Sequence, residues 1–215
     1  LENRMSERGF LDASEMATTF NMLRANDLIW SFVINNYLLG KQPFPFDLLY
    51  WNSDSTRMPA TMHAFYLRNM YQKNLLIKPN GISLLNTPIN LTKITTPSYI
   101  LATKEDHIAP WMSAYIATQT YDGEVVFTLA DSGHIAGVVN PPKKKKYCYW
   151  VNNKLPPKAE DWFKTAKEHP GSWWEHWHQW QSKRAGTKVA ARKRLGNTRY
   201  KPLEPAPGRY AKVKG

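Results

Sequence analysis

Two short apolar runs, Ser98-Tyr99-Ile100-Leu101-Ala102 and Glu124-Val125-Val126-Phe127-Thr128-Leu129-Ala130, restrict what this chain can fold into more than any other feature of it. Both are bounded by Pro, Gly and polar residues, and both read as buried strands. Between them Ala109-Pro110-Trp111 opens a helix of about ten residues through Tyr115 and Gln119, with proline near its first turn. Strand, helix, strand implies a parallel crossover, and a parallel sheet needs helices on its faces and further strands at its side. The fold class expected is α/β. Few other strand candidates are present, so a sheet built from this chain alone is expected to be small.

The region before these strands reads as mostly helical. Asp12 offers an N-cap with Glu15 behind it, and Met16, Phe20, Leu23, Leu28, Phe32 and Leu39 follow at roughly helical spacing, which predicts helices over residues 12–39. Gly40 stops the pattern, and Pro43 and Pro45 force an extended segment that ends in Phe46-Asp47-Leu48-Leu49-Tyr50-Trp51. A further helix is expected over residues 60–73, closed by Pro79-Asn80-Gly81. After Lys143 the chain turns polar and Pro-rich, then forms one more helix where Ser172 and Glu175 make a capping box ahead of Trp177 and Trp180. The expected divisions are a helical segment 1–80, a sheet-bearing segment 81–185, and a basic, largely extended tail 186–215.

The formal net charge of +12 belongs mainly to the stretch from Lys143 to Lys214. Such a run attracts DNA, an acidic lipid surface or CoA phosphates, but its commonest role is to solvate a surface. Cys148 is the one cysteine, which excludes an internal disulfide and a Cys-cluster zinc site and fits a reducing compartment, with cytoplasm the default. No apolar run approaches the roughly 20 residues of a membrane span. The N-terminus Leu1-Glu2-Asn3-Arg4 has neither a signal-peptide pattern nor an initiator Met, and the expectation is a piece of something longer.

Asp106 follows the first strand and His134 the second. The carboxyl ends of strands form the ligand crevice of open α/β sheets, so an acid at Asp106 is placed to orient a base, although the same position also suits a helix N-cap. His134 lies in Asp131-Ser132-Gly133-His134-Ile135-Ala136-Gly137, where flanking glycines are expected to let the backbone turn tightly and leave the ring free to move protons. Acid after one strand and histidine after the next is the order in which α/β hydrolases carry the last two members of a triad. The first member should sit earlier on a Gly-x-Ser-x-Gly or Gly-x-Cys-x-Gly elbow, and the sequence contains none. Cys148 comes after His134 without glycines around it and reads as a packed thiol. The chain alone is expected to be inactive.

The loops Glu105-Asp106-His107-Ile108-Ala109-Pro110-Trp111 and Ser132-Gly133-His134-Ile135-Ala136-Gly137-Val138-Val139-Asn140-Pro141-Pro142 resemble those of the polyhydroxyalkanoate synthases. Pro45-Phe46-Asp47-Leu48-Leu49-Tyr50-Trp51-Asn52, Gly171-Ser172-Trp173-Trp174 and Glu204-Pro205-Ala206-Pro207-Gly208-Arg209-Tyr210 are similar to further segments of that family, in the same order. The ending looks most like the class I enzymes. The resemblance implies the C-terminal portion of an α/β-hydrolase fold with a helical cap subdomain at its N-terminus. It also implies an acyltransferase that polymerises 3-hydroxyacyl-CoA, most simply 3-hydroxybutyryl-CoA, through a Cys-His-Asp triad whose Cys lies upstream of this chain. His134 would then activate the thiol, and Asp106 would orient His134 or help deprotonate the incoming 3-hydroxyl. The implied partners are the polymer and its granule surface in the cytoplasm, a second copy of the enzyme, and the upstream half, with no cofactor, metal, nucleic acid or membrane. Trp51 matches a Trp near the family's pocket, whereas Trp51, Trp111, Trp173 and Trp174 also suit plain packing. Two other readings remain open: an α/β-hydrolase of esterase or thioesterase type, and a non-catalytic basic module for polyanions.

Overall fold

The computed structural model describes residues 5, 7–23, 25–43, 54 and 56–213. It divides into two compact units, Leu1–His63 with Gly186–Gly215, and Ala64–Ala185. The segment 46–51, with Trp51, lies outside the described residues.

In the first unit a short antiparallel pair joins β1 (Phe10–Leu11) to β2 (Met58–Pro59). Helix α1 (Ala13–Leu23) follows, and its entry is shaped by Asp12, whose Oδ1 accepts from Ser14 N at 3.1 Å and from Ser14 Oγ at 3.0 Å. The stretch expected to continue as helix up to residue 39 instead widens into two π-helical segments, Asn26–Trp30 and Val33–Leu38. Side-chain amides accompany the wider winding: Asn35 Nδ2 donates to Ser31 O at 2.9 Å and Asn36 Nδ2 to Lys41 O at 2.8 Å. Gly40, at φ 61°, ends the run in the left-handed region that costs glycine nothing. Among the described residues the basic tail carries one 3-10 turn, Tyr210–Lys212, and no strand.

Helix α2 (Ala60–Tyr66) spans the division between the units in sequence and runs on as a π-helical segment, Leu67–Gln72, close to the helix expected there. A hairpin that sequence reasoning did not foresee comes next, β3 (Ile82–Leu84) against β4 (Thr87–Ile89), turning through Leu85 and Asn86 at φ 48° and 62°. Two positive φ values are what a tight two-residue hairpin turn demands.

The main sheet has four strands in the order β5-β6-β7-β8. β5 (Ser98–Thr103) and β6 (Val125–Ala130) are the two expected strands, and they pair in parallel from Ser98↔Val125 to Thr103↔Ala130. The crossover between them is α3 (Trp111–Tyr115) followed by a 3-10 turn, Ile116–Gln119. β7 (Cys148–Val151) and β8 (Lys167–Pro170) then add antiparallel, with α4 (Ala159–Thr165) between them and α5 (Trp174–Ser182) after them. The architecture is mixed α/β.

Alternation along β6 sorts the two faces. Phe127 and Leu129 point to a core with Ala102, Tyr115, Trp150, Ala159 and Trp162, under α3 and α4. There Phe127 meets Trp162 edge-on at 4.9 Å and Tyr115 edge-on at 5.0 Å. Thr128 points to the opposite face, where Tyr99 of β5 packs beneath α5 against Trp173, His176 and Trp180. The parallel pair is thus covered on both sides, as its continuous apolar runs require. Among the described residues no helix is long and apolar enough to cross a membrane.

Candidate active site

Because β5 and β6 run parallel and in register, Thr103 and Ala130 end side by side, and the loops that follow leave the sheet at one edge. Two backbone bonds extend the ladder past the strands: Lys104 N donates to Ala130 O at 2.8 Å and Glu105 N to Ser132 O at 3.0 Å. The acid loop and the histidine loop are therefore tied together before either presents its side chain.

Asp106 uses its two carboxylate oxygens separately. Oδ1 accepts from Ile108 N at 2.8 Å and Ala109 N at 2.9 Å, fixing the turn that leads to α3. Oδ2 accepts from His134 Nδ1 at 2.8 Å and, at a long 3.4 Å, from Thr103 Oγ1. The helix itself starts later, with Pro110 as its capping residue, so Asp106 shapes the turn ahead of the helix and partners the histidine at once. The helix N-cap expected as one reading of Asp106 is thus corrected: the cap is Pro110, and Asp106 Oδ1 holds the turn before it.

The electrostatics decide the tautomer. Burial works against ionising Asp106, but the hydrogen bonds from Ala109 N, His134 and Ile108 N outweigh it, and the carboxyl sits below the ordinary carboxylate value. An ionised carboxylate only accepts, so Nδ1 of His134 is the donor of this bond, and in the neutral form of the ring Nε2 is the acceptor nitrogen. The Asp106 side chain is 9% exposed while that of His134 is 45% exposed, which sinks the acid and opens the imidazole. A depressed folded-state value contributes stability that is present above the unfolded value of about 3.9 and is lost as pH falls through the folded one. Urea unfolding midpoints of the chain between about pH 6 and pH 2 should accordingly show a steeper acid decline than those of Asp106→Asn. Parallel declines would mean that the carboxylate contributes nothing there.

The glycines around His134 act differently from expectation. The residue in the left-handed region is Ser132, at φ 72°, while Gly133 and Gly137 are not among the positive-φ residues. A Cβ on Gly137 would lie 2.5 Å from Asp131 O and 2.6 Å from Thr103 Cγ2, whereas one on Gly133 would meet nothing nearer than Glu105 O at 3.9 Å. Gly137 is needed for close approach and Gly133 is not. Gly137→Ala should destabilise the chain by about 1–3 kcal/mol, as overpacking does, and Gly133→Ala by less than about 0.5 kcal/mol. Thermal unfolding of the two variants checks this, and equal midpoints would contradict it.

Cys148 lies at the start of β7, packed against the core. Burial, followed by the nearby charges of Asp131 and Glu168, pushes its thiol up to about 11, so it is protonated and a poor nucleophile near neutrality. Trp111 packs against the same core, its ring tilted to that of Phe163 at 5.8 Å, and Trp51 lies outside the described residues. Thr103, 1% exposed and bonded to Asp106, carried no signal in the sequence beyond being the last residue of a strand. Among the described residues no group of three or more His, Cys, Asp or Glu side chains is arranged to hold a metal ion.

No family model matches the chain. Among curated proteins it is similar to the poly(3-hydroxyalkanoate) polymerase subunit PhaC of Cupriavidus necator, 47% identical over 200 residues, which cover 93% of this chain and 34% of that protein. The subunit of the same name from Rhizobium meliloti is 50% identical over 214 residues, 100% of this chain and 34% of its own length. The poly(3-hydroxyalkanoate) polymerase of Methylorubrum extorquens is 50% identical over 216 residues, 100% of this chain and 35% of its own length. The chain spans about a third of the length of the curated relatives it matches. With identity of this level running across nearly all of its residues, the chain belongs to the poly(3-hydroxyalkanoate) polymerase family and corresponds to a C-terminal part of its members.

Proposed function

We propose that this chain supplies the acid and base of an acyltransferase that polymerises (R)-3-hydroxyacyl units from their CoA thioesters, with 3-hydroxybutyryl-CoA the simplest substrate, as in the class I enzymes. The observation that carries the reading is the 2.8 Å bond between His134 Nδ1 and Asp106 Oδ2 at the ends of two adjacent parallel strands. In this reading the chain is the C-terminal portion of an α/β-hydrolase core, with residues 1–80 forming a helical cap.

The sequence holds no nucleophile elbow and Cys148 is a packed thiol, so the nucleophile is a cysteine supplied from upstream of these residues. His134 Nε2 takes the proton of that thiol, and Asp106 stabilises the imidazolium that forms. The thiolate attacks the thioester carbonyl; the carbon–sulfur bond to CoA breaks, and the CoA thiolate leaves with the proton from His134. The acyl group stays on the enzyme as a new thioester. Nε2 then removes the proton of the 3-hydroxyl of another unit, whose oxygen attacks the acyl carbonyl, forming the ester bond and releasing the cysteine thiolate, which regains that proton. Each cycle needs one group that takes and returns a proton, and neither a cofactor nor a metal enters. The upstream part of the enzyme, a second copy of it, and the polymer granule in the cytoplasm are the partners this reading proposes.

The test is a chimaera in which this chain replaces the matching third of the Cupriavidus necator polymerase. The expected result is release of CoA from 3-hydroxybutyryl-CoA together with polymer, and no release by the chain alone. Release of CoA with free 3-hydroxy acid and no polymer would favour a hydrolase, and turnover by the chain alone would refute an upstream nucleophile.

A further inference from the structure

The turn that carries His134 is held by more than the sheet. Gly137 N donates to Gly133 O at 2.9 Å and Val139 N to Ile135 O at 2.8 Å, so residues 133–139 form one hydrogen-bonded turn with the histidine near its start. Among the described residues no backbone N–H reaches the carbonyls of Gly137 or Val138. Two indoles at the start of α5 do. Trp173 Nε1 donates to Gly137 O at 3.1 Å and to Val138 O at 3.2 Å, and Trp174 Nε1 donates to Val138 O at 2.9 Å.

These indoles are themselves anchored to the sheet. The Trp173 ring stacks on Tyr99 of β5 at 6.3 Å and meets Trp174 edge-on at 6.4 Å. Thr128 Oγ1 of β6 donates to the Tyr99 hydroxyl at 2.8 Å, and that hydroxyl is 2.8 Å from His176 Nδ1 on α5. From the other side, Gly137 presses against the Thr103 methyl, close enough that no side chain fits between them. The turn is gripped between the end of β5 and the first residues of α5.

We infer that Trp173 and Trp174 are positioning residues, whose indole N–H groups clamp the His134 turn and so keep the imidazole aligned with Asp106. Packing alone does not ask for two donors converging on neighbouring carbonyls. Trp180 of the same helix shows the contrast, since its Nε1 is buried with no hydrogen-bond partner among the described residues. The inference rests on the reading of His134 as the base, but its test reads the alignment itself and not turnover.

The experiment follows the Nδ1–H proton of His134 by NMR in the 215-residue chain, where the bond to Asp106 shields it from exchange with water. Trp173→Phe and Trp174→Phe keep an aromatic ring and remove the donor. Each is expected to speed exchange of that proton roughly fivefold, and the double variant roughly thirtyfold, in line with the loss of one and two indole N–H donors at about 1 kcal/mol each. Trp180→Phe, which removes an unpartnered donor, should leave it unchanged. Wild-type exchange in the double variant, or equal acceleration in Trp180→Phe, would overturn the clamp. Should the double variant fail to fold, the unsubstituted chain decides: slow exchange of the Trp173 and Trp174 Nε1 protons is expected, and free exchange of both would overturn it. Loss of the base assignment in the chimaera would leave these exchange rates as they are, so the two ideas fail separately.

Discussion

His134→Ala in the chimaera with the Cupriavidus necator polymerase is expected to reduce CoA release by roughly 10³–10⁴-fold, with polymer formation falling in step. The size follows from the double use of one nitrogen. In the proposed cycle Nε2 makes the thiolate and again activates the 3-hydroxyl, and among the described residues no other imidazole is hydrogen-bonded to a carboxylate at that sheet edge. Near-neutral thiols are only a few per cent ionised without help, so some acylation should survive; the second half of the cycle, where the nucleophile is an alcohol, should suffer more. The variant should therefore accumulate acyl-enzyme before it stalls. The fold should be unaffected, because the imidazole is 45% exposed and its loss opens no cavity. A folded His134→Ala chimaera that still polymerises within a few-fold of the parent would remove the base assignment.

Trp162→Ala is the largest effect expected on stability. The side chain is fully buried at the centre of the aromatic core, within 4.9 Å of Phe127 and 6.0 Å of Tyr115, ring centre to ring centre. Truncations of this kind cost about 3–5 kcal/mol, a large share of the roughly 5–15 kcal/mol that holds a typical domain. Trp162→Phe should cost less, since Trp162 Nε1 is buried without a partner among the described residues and its removal relieves a desolvation penalty of about 1–3 kcal/mol that offsets part of the lost packing. Trp177→Ala, 38% exposed, should cost under about 1 kcal/mol. Urea midpoints of the three variants give the order directly, and a Trp162→Ala midpoint equal to that of Trp177→Ala would show that the core lies elsewhere. The consequence reaches the site, because Trp162 supports the face of β6 whose far end carries the histidine loop.

What could be read in the sequence was what repeats or alternates. β5 and β6 are unbroken apolar runs, and their order with the helix between them was enough to place Asp106 and His134 at one edge. β8 carries no such signal: Lys167-Glu168-His169-Pro170 is an outer strand, polar on its exposed side and ending in a proline that only an edge tolerates. The β3–β4 hairpin was hidden for a related reason, since its turn uses Leu85 and Asn86 where an Asn-Gly pair would have announced it. In the N-terminal unit helical spacing was visible, but the change to π-helical winding, accompanied by side-chain bonds from Asn35 and Asn36, leaves no periodic mark in the sequence.

The meeting of Asp106 and His134 at one sheet edge was legible in the sequence, and what supports them was not. Ser172 was expected to open a capping box with Glu175, yet its Oγ accepts from Trp174 N at 3.1 Å and so helps set the indole that reaches Val138. Trp173 and Trp174 were open to a plain packing role because a sequence shows how apolar an indole is and not where its N–H points. Thr103 and Gly137 owe their importance to a contact between residues 34 positions apart, which only the register of two parallel strands creates. Gly133 drew the same attention as Gly137 because local sequence cannot separate a turn that needs φ freedom from one that needs room.

A double-mutant cycle in the chimaera tests most directly whether Asp106 and His134 act as one unit. Rates of CoA release would be compared for the parent, Asp106→Asn, His134→Ala and the double variant. If the carboxylate works by fixing the tautomer and charge of the imidazole, it has nothing to act on once the ring is gone, and the double variant should be no slower than His134→Ala alone. Losses that multiply would mean that the two residues serve separate steps, and would contradict the account.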